Sequence, residues 1–222
     1  MPRRPHLLAT DEIYHIYNRT VGHEYIFTTK RELSRILTLT DFYHLPQTLR
    51  YSKFKLLPDS QKDNYQVNSK KQTPLVQIYA FAFMPNHYHF LLKQNIDMGI
   101  SNFISNLQNS FAKFFNIKYK RHGTLFQNSF KAKRVDSNEV FLHLSRYIHL
   151  NPVTSYHIEA KDISAYPWTS LPAYFDKGPH DWVDRSLVMA NFKSTDSYLK
   201  FITDQADYQR KLSSIKHLLF DS

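Results

Sequence analysis

Two histidines in the segment HYHFLL have the type and spacing of metal ligands. His87 and His89 are separated by one residue, and side chains at that spacing lie on the same face of a β-strand, where two imidazoles can bind one ion. The chain contains 12 histidines among 222 residues, so a His-x-His pair also arises by chance and is a weak signal alone. Its apolar neighbours leave two interpretations, a metal site or a structural pair of half-buried rings.

A tyrosine in the segment RYIHLNPV has the chemistry of an oxygen nucleophile. The phenol of a tyrosine ionises at a pKa of about 10 and can form covalent intermediates. Tyr147 and Asn151 are four residues apart and share one face of a helix, which Pro152 is expected to end directly after Asn151. On local grounds a structural interpretation is favoured, with the tyrosine at the edge of a core and the asparagine at the helix end.

The basic charge of the sequence is concentrated in its middle. The formal net charge is +10, which suits a polyanionic partner. Between Asn64 and Val135 the only acidic residue is Asp97, whereas the tail beyond Phe175 is close to neutral. This distribution favours a nucleic acid as partner over a merely soluble basic surface. The basic residues of the stretch are Lys70, Lys71, Lys93, Lys113, Lys118, Lys120, Arg121, Lys131, Lys133 and Arg134.

Composition excludes several other kinds of site. The chain has no cysteine, which rules out disulfides, thiolate catalysis and cysteine-based zinc sites. No apolar run approaches the length of about 18 residues that spans a bilayer, and the apolar stretch near the N-terminus is too short for a signal peptide. The expected location is therefore the cytoplasm.

The pattern of apolar and turn-forming residues predicts alternating strands and helices. Apolar, Ile- and Tyr-rich runs indicate strands, and apolar residues three and four apart indicate helices. Between Pro46 and Pro74 the periodicity is lost, so a loop or hairpin insertion is expected. The predicted strands span 12–20, 75–84, 87–92 and 124–135, and the predicted helices span 28–44, 99–120, 138–151 and 197–219.

This order of elements predicts a ferredoxin-like α+β fold, with an antiparallel sheet and helices on one face. We expect one domain over residues 1–175, in which 46–74 is the insertion. Residues 176–222 are expected to form a C-terminal helical extension.

Several fragments together resemble one family. MPNHYHFLL, YHIYNRTVGHEYIF, GTLFQNSFKAKRV, RYIHLNPV and AYPWTS occur in this sequence. In their order along the chain they resemble the single-tyrosine HUH transposases of the insertion-sequence-200 type, and most closely the branch of REP-associated tyrosine transposases. The resemblance covers residues 8 to 175 except the insertion. The histidine and Asn-Pro fragments are fairly specific together and unremarkable apart.

The resemblance assigns roles to the candidate residues. It implies that Tyr147 is the nucleophile and that His87, His89 and Asn151 hold a divalent metal, Mg²⁺ or Mn²⁺. Tyr88 stands between the histidines where the family has a hydrophobic residue, and Asn151 stands where many relatives have glutamine. Both are departures from the family pattern.

The implied activity is cleavage and rejoining of single-stranded, hairpin-forming DNA through a 5′-phosphotyrosine intermediate. The alternatives are a non-catalytic nucleic-acid-binding protein derived from a transposase and a metal phosphoesterase. A monomer is favoured over a homodimer. The expected DNA contacts are Arg19, Lys113, Lys118, Lys120, Arg121, Lys131, Lys133 and Arg134, and Arg19 has a second interpretation as a residue that fixes the first strand.

Overall fold

The computed structural model describes residues 8–175 and 180–204. At its centre is a sheet of four antiparallel strands in the order β2-β3-β1-β4. This arrangement confirms the predicted α+β fold with an antiparallel sheet. The strands are β1 (Ile13–Arg19), β2 (Val76–Met84), β3 (His87–Gln94) and β4 (Lys131–Arg134).

Seven α-helices lie within the described residues. The first begins at a capping box, in which the Thr29 side chain accepts from the backbone of Glu32 and the Glu32 side chain accepts from the backbone of Thr29. Such a box pairs backbone groups that would otherwise have no partner at a helix start. The helices are α1 (Lys30–Tyr43), α2 (Tyr51–Phe54), α3 (Asp59–Lys70), α4 (Gly99–Lys118), α5 (Asn138–Thr154), α6 (Ser186–Met189) and α7 (Thr195–Thr203).

The helices occupy both faces of the sheet, and not one face as predicted. Alternate residues of β3 point to opposite faces, and Phe90 packs against Phe103 of α4, while His89 lies against Tyr147 of α5. The crossover helices α1 and α4 contact each other on the first face. Helix α5 covers the second face because Leu91, Ala80 and their neighbours there are apolar and need shielding from water.

The segment 46–74 contains α2 and α3, and not the predicted loop or hairpin. Its helices are short and mostly polar, so the sequence lacks the repeated apolar spacing that identifies a helix. A few aromatic side chains fix them to the core, since Phe54 and Tyr65 both pack against Phe42 of α1.

Helix α5 is longer than the sequence predicts. Ser137 caps its start by accepting from the backbone of Val140, as expected from the capping signal. Pro152 lies inside the helix, which continues to Thr154. Proline lacks a backbone N–H and crowds the carbonyl group four residues before it, but the Ser155 backbone still donates to Asn151.

The described part of the tail packs against the same core. The Tyr198 ring of α7 lies beside His149 of α5, and Trp182 stacks on Phe81 of β2. Helix α7 accounts for the start of the predicted helix 197–219, whose remainder lies outside the described residues. The domain boundary at residue 175 stays a prediction. Over the residues described, no helix has both the length and the apolar character needed to cross a bilayer.

A buried carboxylate joins α1 to α4. Lys118 Nζ lies 2.6 Å from Glu32 Oε1, and the Tyr119 hydroxyl donates to the same oxygen. The Glu32 side chain has 0% exposure. Burial by itself raises the pKa of Glu32, but the hydrogen bonds from Lys118, Tyr119 and Thr29 outweigh burial and lower the pKa to about 2.

We expect Glu32→Gln to lower the free energy of unfolding at pH 7 by about 2 kcal/mol. This is less than the roughly 3–5 kcal/mol of a fully buried broken pair, because Lys118 still reaches water. The folded-state pKa of Glu32 lies below its ordinary value of 4.5. Its stabilisation is therefore complete above that pH and is lost as the pH falls towards 2.

Urea denaturation at pH 7, 5 and 3 measures this effect. The difference between the wild type and Glu32→Gln should be equal at pH 7 and 5 and smaller at pH 3. Glu139→Gln, at a side chain with 84% exposure, is the control and should change little. A difference that is the same at all three pH values would contradict the assignment.

Candidate active site

The pairing of β1 with β3 builds the floor of the site. Tyr17 pairs with His89 and Arg19 pairs with His87, so these side chains project from the same face as the two histidines. The His87 and His89 rings have centroids 5.1 Å apart. The alternation expected from the sequence thus brings both imidazoles to one face.

The Nδ1 atoms of both histidines have hydrogen-bond partners. His87 Nδ1 lies 2.7 Å from Asn86 Oδ1, and His89 Nδ1 lies 3.0 Å from Nε2 of His15 on β1. Because the Asn86 oxygen can only accept, His87 Nδ1 carries hydrogen and its Nε2 keeps a lone pair.

These imidazoles are uncharged at neutral pH. Burial, followed by the positive charge of Arg19, lowers the pKa of His87 to about 4. Burial also lowers the pKa of His89 well below its ordinary value, and burial and the Lys133 charge lower the pKa of His15 to about 4. A neutral imidazole is the form that binds a metal.

Tyr147 lies beside the histidines. Its ring centroid is 5.5 Å from that of His89 and 6.0 Å from that of His15, and the residue is 40% exposed. Burial raises the pKa of the phenol, while the Asn151 side chain and the Arg19 charge act in the opposite direction. The phenol is therefore protonated at neutral pH and open to solvent on one side.

Asn151 lies one helical turn after Tyr147 and is 5% exposed. Its Nδ2 donates to the Tyr147 carbonyl oxygen over 3.1 Å, which leaves the amide oxygen as its group with ligand chemistry. No three His, Cys, Asp or Glu side chains of the described ranges are grouped so as to hold a metal. Imidazole nitrogens and amide oxygens are donors that a divalent cation accepts, so the side-chain chemistry of His87, His89 and Asn151 fits such an ion.

Helix α5 is fixed in place by a buried histidine. His149 Nδ1 lies 2.9 Å from the Tyr198 hydroxyl, and its Nε2 lies 2.7 Å from Ser170 Oγ. Burial lowers the pKa of His149 to about 3, so the ring stays neutral between these partners. This anchor fixes the helix that carries Tyr147 against β2.

The middle of the chain, residues 43–151, matches the model of a family described as "Transposase IS200 like". The matched range includes both histidines, the tyrosine and the asparagine of the site. The match spans 109 of the 222 residues, and over this range the chain is similar to IS200-like transposases.

A solved structure has the same fold as this chain. It is described as the REP-associated tyrosine transposase bound to a REP hairpin, and it aligns with a TM-score of 0.51 at 14% identity. The alignment covers 84% of this chain and 96% of the other. At that identity the likeness concerns the fold. No curated protein sequence matches the chain.

The basic residues of this chain fall into two groups. Lys131 and Lys133 pair with Tyr17 and His15 across β1 and β4, so they project from the face of the site, and Arg19, which pairs with His87, projects from the same face. The other five candidates lie elsewhere or have ion-pair partners. Lys118, Arg121 and Arg134 pair with Glu32, Glu24 and Glu12, Lys113 lies on α4 beside α1 and α2, and Lys120 follows α4.

Two residues change the interpretation of the site. His15 contacts His89 but was not singled out from the sequence, where its only signal is a position in β1 two residues before Tyr17. Tyr88 is fully buried on the opposite face, where the Gln108 side chain donates to its hydroxyl over 2.6 Å. It therefore packs beneath the strand.

Proposed function

We propose that this chain is an IS200-like transposase that cleaves and rejoins single-stranded DNA, with Tyr147 as the nucleophile. The observation that carries the proposal is the position of a half-exposed phenol 5.5 Å, between ring centroids, from a buried neutral histidine of the His87–His89 pair. A nucleophile next to a potential metal site, open to solvent on one side, is an arrangement that can cleave a phosphodiester.

The proposed cleavage step forms one bond to phosphorus and breaks another. The phenol oxygen of Tyr147 attacks phosphorus, the bond between phosphorus and O3′ breaks, and the phenol proton passes to solvent. The leaving O3′ takes up a proton and becomes a free hydroxyl, while the 5′ phosphate stays on the tyrosine. Since the phosphotyrosine ester keeps the bond energy, a second 3′-hydroxyl can attack it and rejoin DNA without ATP.

In this proposal His87, His89 and Asn151 hold Mg²⁺ or Mn²⁺. A divalent cation bound there would offset the negative charge of the phosphodiester and orient its oxygens. The chain supplies the two neutral imidazoles, and the Asn151 amide donates to the backbone of Tyr147. This contact ties the third candidate ligand to the helix turn that carries the nucleophile.

The proposed substrate is hairpin-forming single-stranded DNA. The fold neighbour was solved with a REP hairpin, and the site face of this chain carries Arg19, Lys131 and Lys133, for which no ion pair is found within the described ranges. The phenol and the histidines come from one chain, which favours a monomer. DNA as substrate agrees with the cytoplasmic location expected from the cysteine-free sequence.

A covalent-adduct assay tests the proposal. The full chain is incubated with Mg²⁺ or Mn²⁺ and a labelled single strand that contains a hairpin, and the products are separated on a denaturing gel. A band in which DNA migrates with protein, absent when EDTA is added, supports cleavage. Binding without any adduct on a panel of hairpins would favour a non-catalytic DNA-binding protein. Turnover of small nucleotides without an adduct would favour a phosphoesterase.

Reversing two charges on β4 should weaken DNA binding. Lys131→Glu with Lys133→Glu removes two phosphate contacts in this proposal. The slope of log K against log salt for a single strand should become shallower by about 1.4, from about 0.7 for each contact. Fluorescence anisotropy over a series of salt concentrations measures this slope.

The matched control is Lys161→Glu with Lys193→Glu, which makes the same change of charge at two exposed positions outside the sheet. Its slope should stay close to that of the wild type. If both double variants changed the slope equally, only net charge would matter, and β4 would not be a DNA contact.

A further inference from the structure

A third histidine lies beside the pair, on a neighbouring strand and on the same face of the sheet. His15 and His89 are 74 residues apart in sequence, and their ring nitrogens Nε2 and Nδ1 are 3.0 Å apart. Both residues are buried, with exposures of 8% and 6%, and their rings are stacked at a centroid distance of 5.2 Å. The position of His15 follows from the register of β1 on β3, in which it pairs with Leu91 beside Tyr17 and His89.

The hydrogen bond between the two rings allows two arrangements. In an N–H···N bond one nitrogen carries hydrogen and the other accepts. If His89 Nδ1 donates, then Nε2 of His89 holds a lone pair. If His15 Nε2 donates, then hydrogen sits on Nε2 of His89, which cannot bind an ion. The hydrogen-bond partner of one ring nitrogen therefore determines whether the other nitrogen carries hydrogen or a lone pair that can bind an ion.

His87 provides the comparison within the same site. Its Nδ1 contacts the Asn86 side-chain oxygen at 2.7 Å, an atom that can only accept, so Nε2 of His87 keeps its lone pair. Each histidine of the pair thus has its Nδ1 engaged by a separate side chain. For His89 the partner is another imidazole.

We propose that His15 is a positioning residue, whose Nε2 accepts hydrogen from His89 Nδ1 and thereby keeps the lone pair of His89 Nε2 directed at the ion. This inference rests on the proposed metal site. It also assigns His15 a role distinct from that of a ligand, because its Nε2 lone pair contacts His89 and its Nδ1 carries the hydrogen of the neutral ring. In metal centres, side chains that act through a ligand in this way set its orientation and tautomer.

Two readouts test the proposal without DNA. Nitrogen-15 NMR of the metal-free wild type shows which nitrogen of His89 carries hydrogen, and the proposal expects Nδ1. Titration with Mn²⁺, followed by the loss of the free Mn²⁺ signal in electron paramagnetic resonance, gives the dissociation constant. His15→Phe keeps the ring volume but has no acceptor, and it should weaken Mn²⁺ binding by about 10- to 100-fold.

The conservative variant separates positioning from packing. His15→Gln offers an amide oxygen as acceptor. We expect it to weaken Mn²⁺ binding much less than His15→Phe does. Wild-type affinity in His15→Phe, or hydrogen on Nε2 of His89 in the wild type, would overturn the proposal. The NMR readout needs no variant to fold, and neither readout depends on strand cleavage, so a failure of the proposed DNA chemistry is seen separately in the adduct assay.

Discussion

Tyr147→Phe is expected to abolish the covalent protein–DNA adduct. The substitution removes one oxygen atom and keeps the ring that packs at 5.5 Å from His89 and 6.0 Å from His15. Without the oxygen, no ester with phosphorus can form, so the expected loss is complete rather than partial. DNA binding should remain close to that of the wild type, because the basic residues of the face are unchanged.

The adduct assay and a parallel anisotropy measurement check this result together. Tyr25→Phe, at a tyrosine with 66% exposure, is the matched control and should form the adduct normally. If Tyr147→Phe gave as much adduct as the control, another residue would be the nucleophile and the assignment of Tyr147 would be wrong.

The second large effect is expected for His89→Ala. The substitution removes one of two candidate imidazole ligands and leaves His15 Nε2 without its partner. Loss of groups that only support a ligand costs about 10- to 100-fold in affinity or activity. Loss of the ligand itself should therefore lower both Mn²⁺ affinity and the rate of adduct formation by at least about 100-fold.

The measurement pairs a Mn²⁺ titration with a time course of adduct formation. His122→Ala, at an exposed position outside the site, should match the wild type in both. Since His89 is buried, thermal unfolding of each variant is recorded beside the titration. A folded His89→Ala protein that bound Mn²⁺ and cleaved DNA at wild-type rates would remove His89 from the metal site.

Local spacing made the main candidates predictable. His87 and His89 lie on one strand face because side chains alternate along β3. Tyr147 and Asn151 come together because residues four apart are neighbours on a helix. These relations depend on a few consecutive residues, and so the sequence determines them before the rest of the fold is known.

Contacts between distant segments were not predictable in the same way. His15 meets His89 only through the pairing of β1 with β3, and Lys118 meets Glu32 only through the packing of α4 on α1. Neither contact produces a periodic pattern of residues that could be recognised in a single sequence. For the same reason the sequence did not predict which face of the sheet α5 covers. That position depends on the apolar residues of β2 and β3 that the helix shields from water.

Helix ends and the insertion also depend on tertiary packing. Pro152 favours the end of a helix by local rules, yet α5 continues to Thr154 with Val153 fully buried. In the insertion, α3 is polar over most of its length, and Tyr65 holds it against Phe42. One aromatic contact of this kind does not produce the repeated apolar spacing from which a helix is predicted.

The most direct test is to locate the DNA on the protein. The adduct formed with a labelled hairpin strand is digested with nuclease and protease, and mass spectrometry identifies the peptide that carries the remaining nucleotide. We expect the 5′ phosphate on Tyr147, in the peptide that contains YIHLNPV. A nucleotide attached to Tyr17, which pairs with His89 on this face of the sheet, or to any residue other than Tyr147, would contradict the central claim.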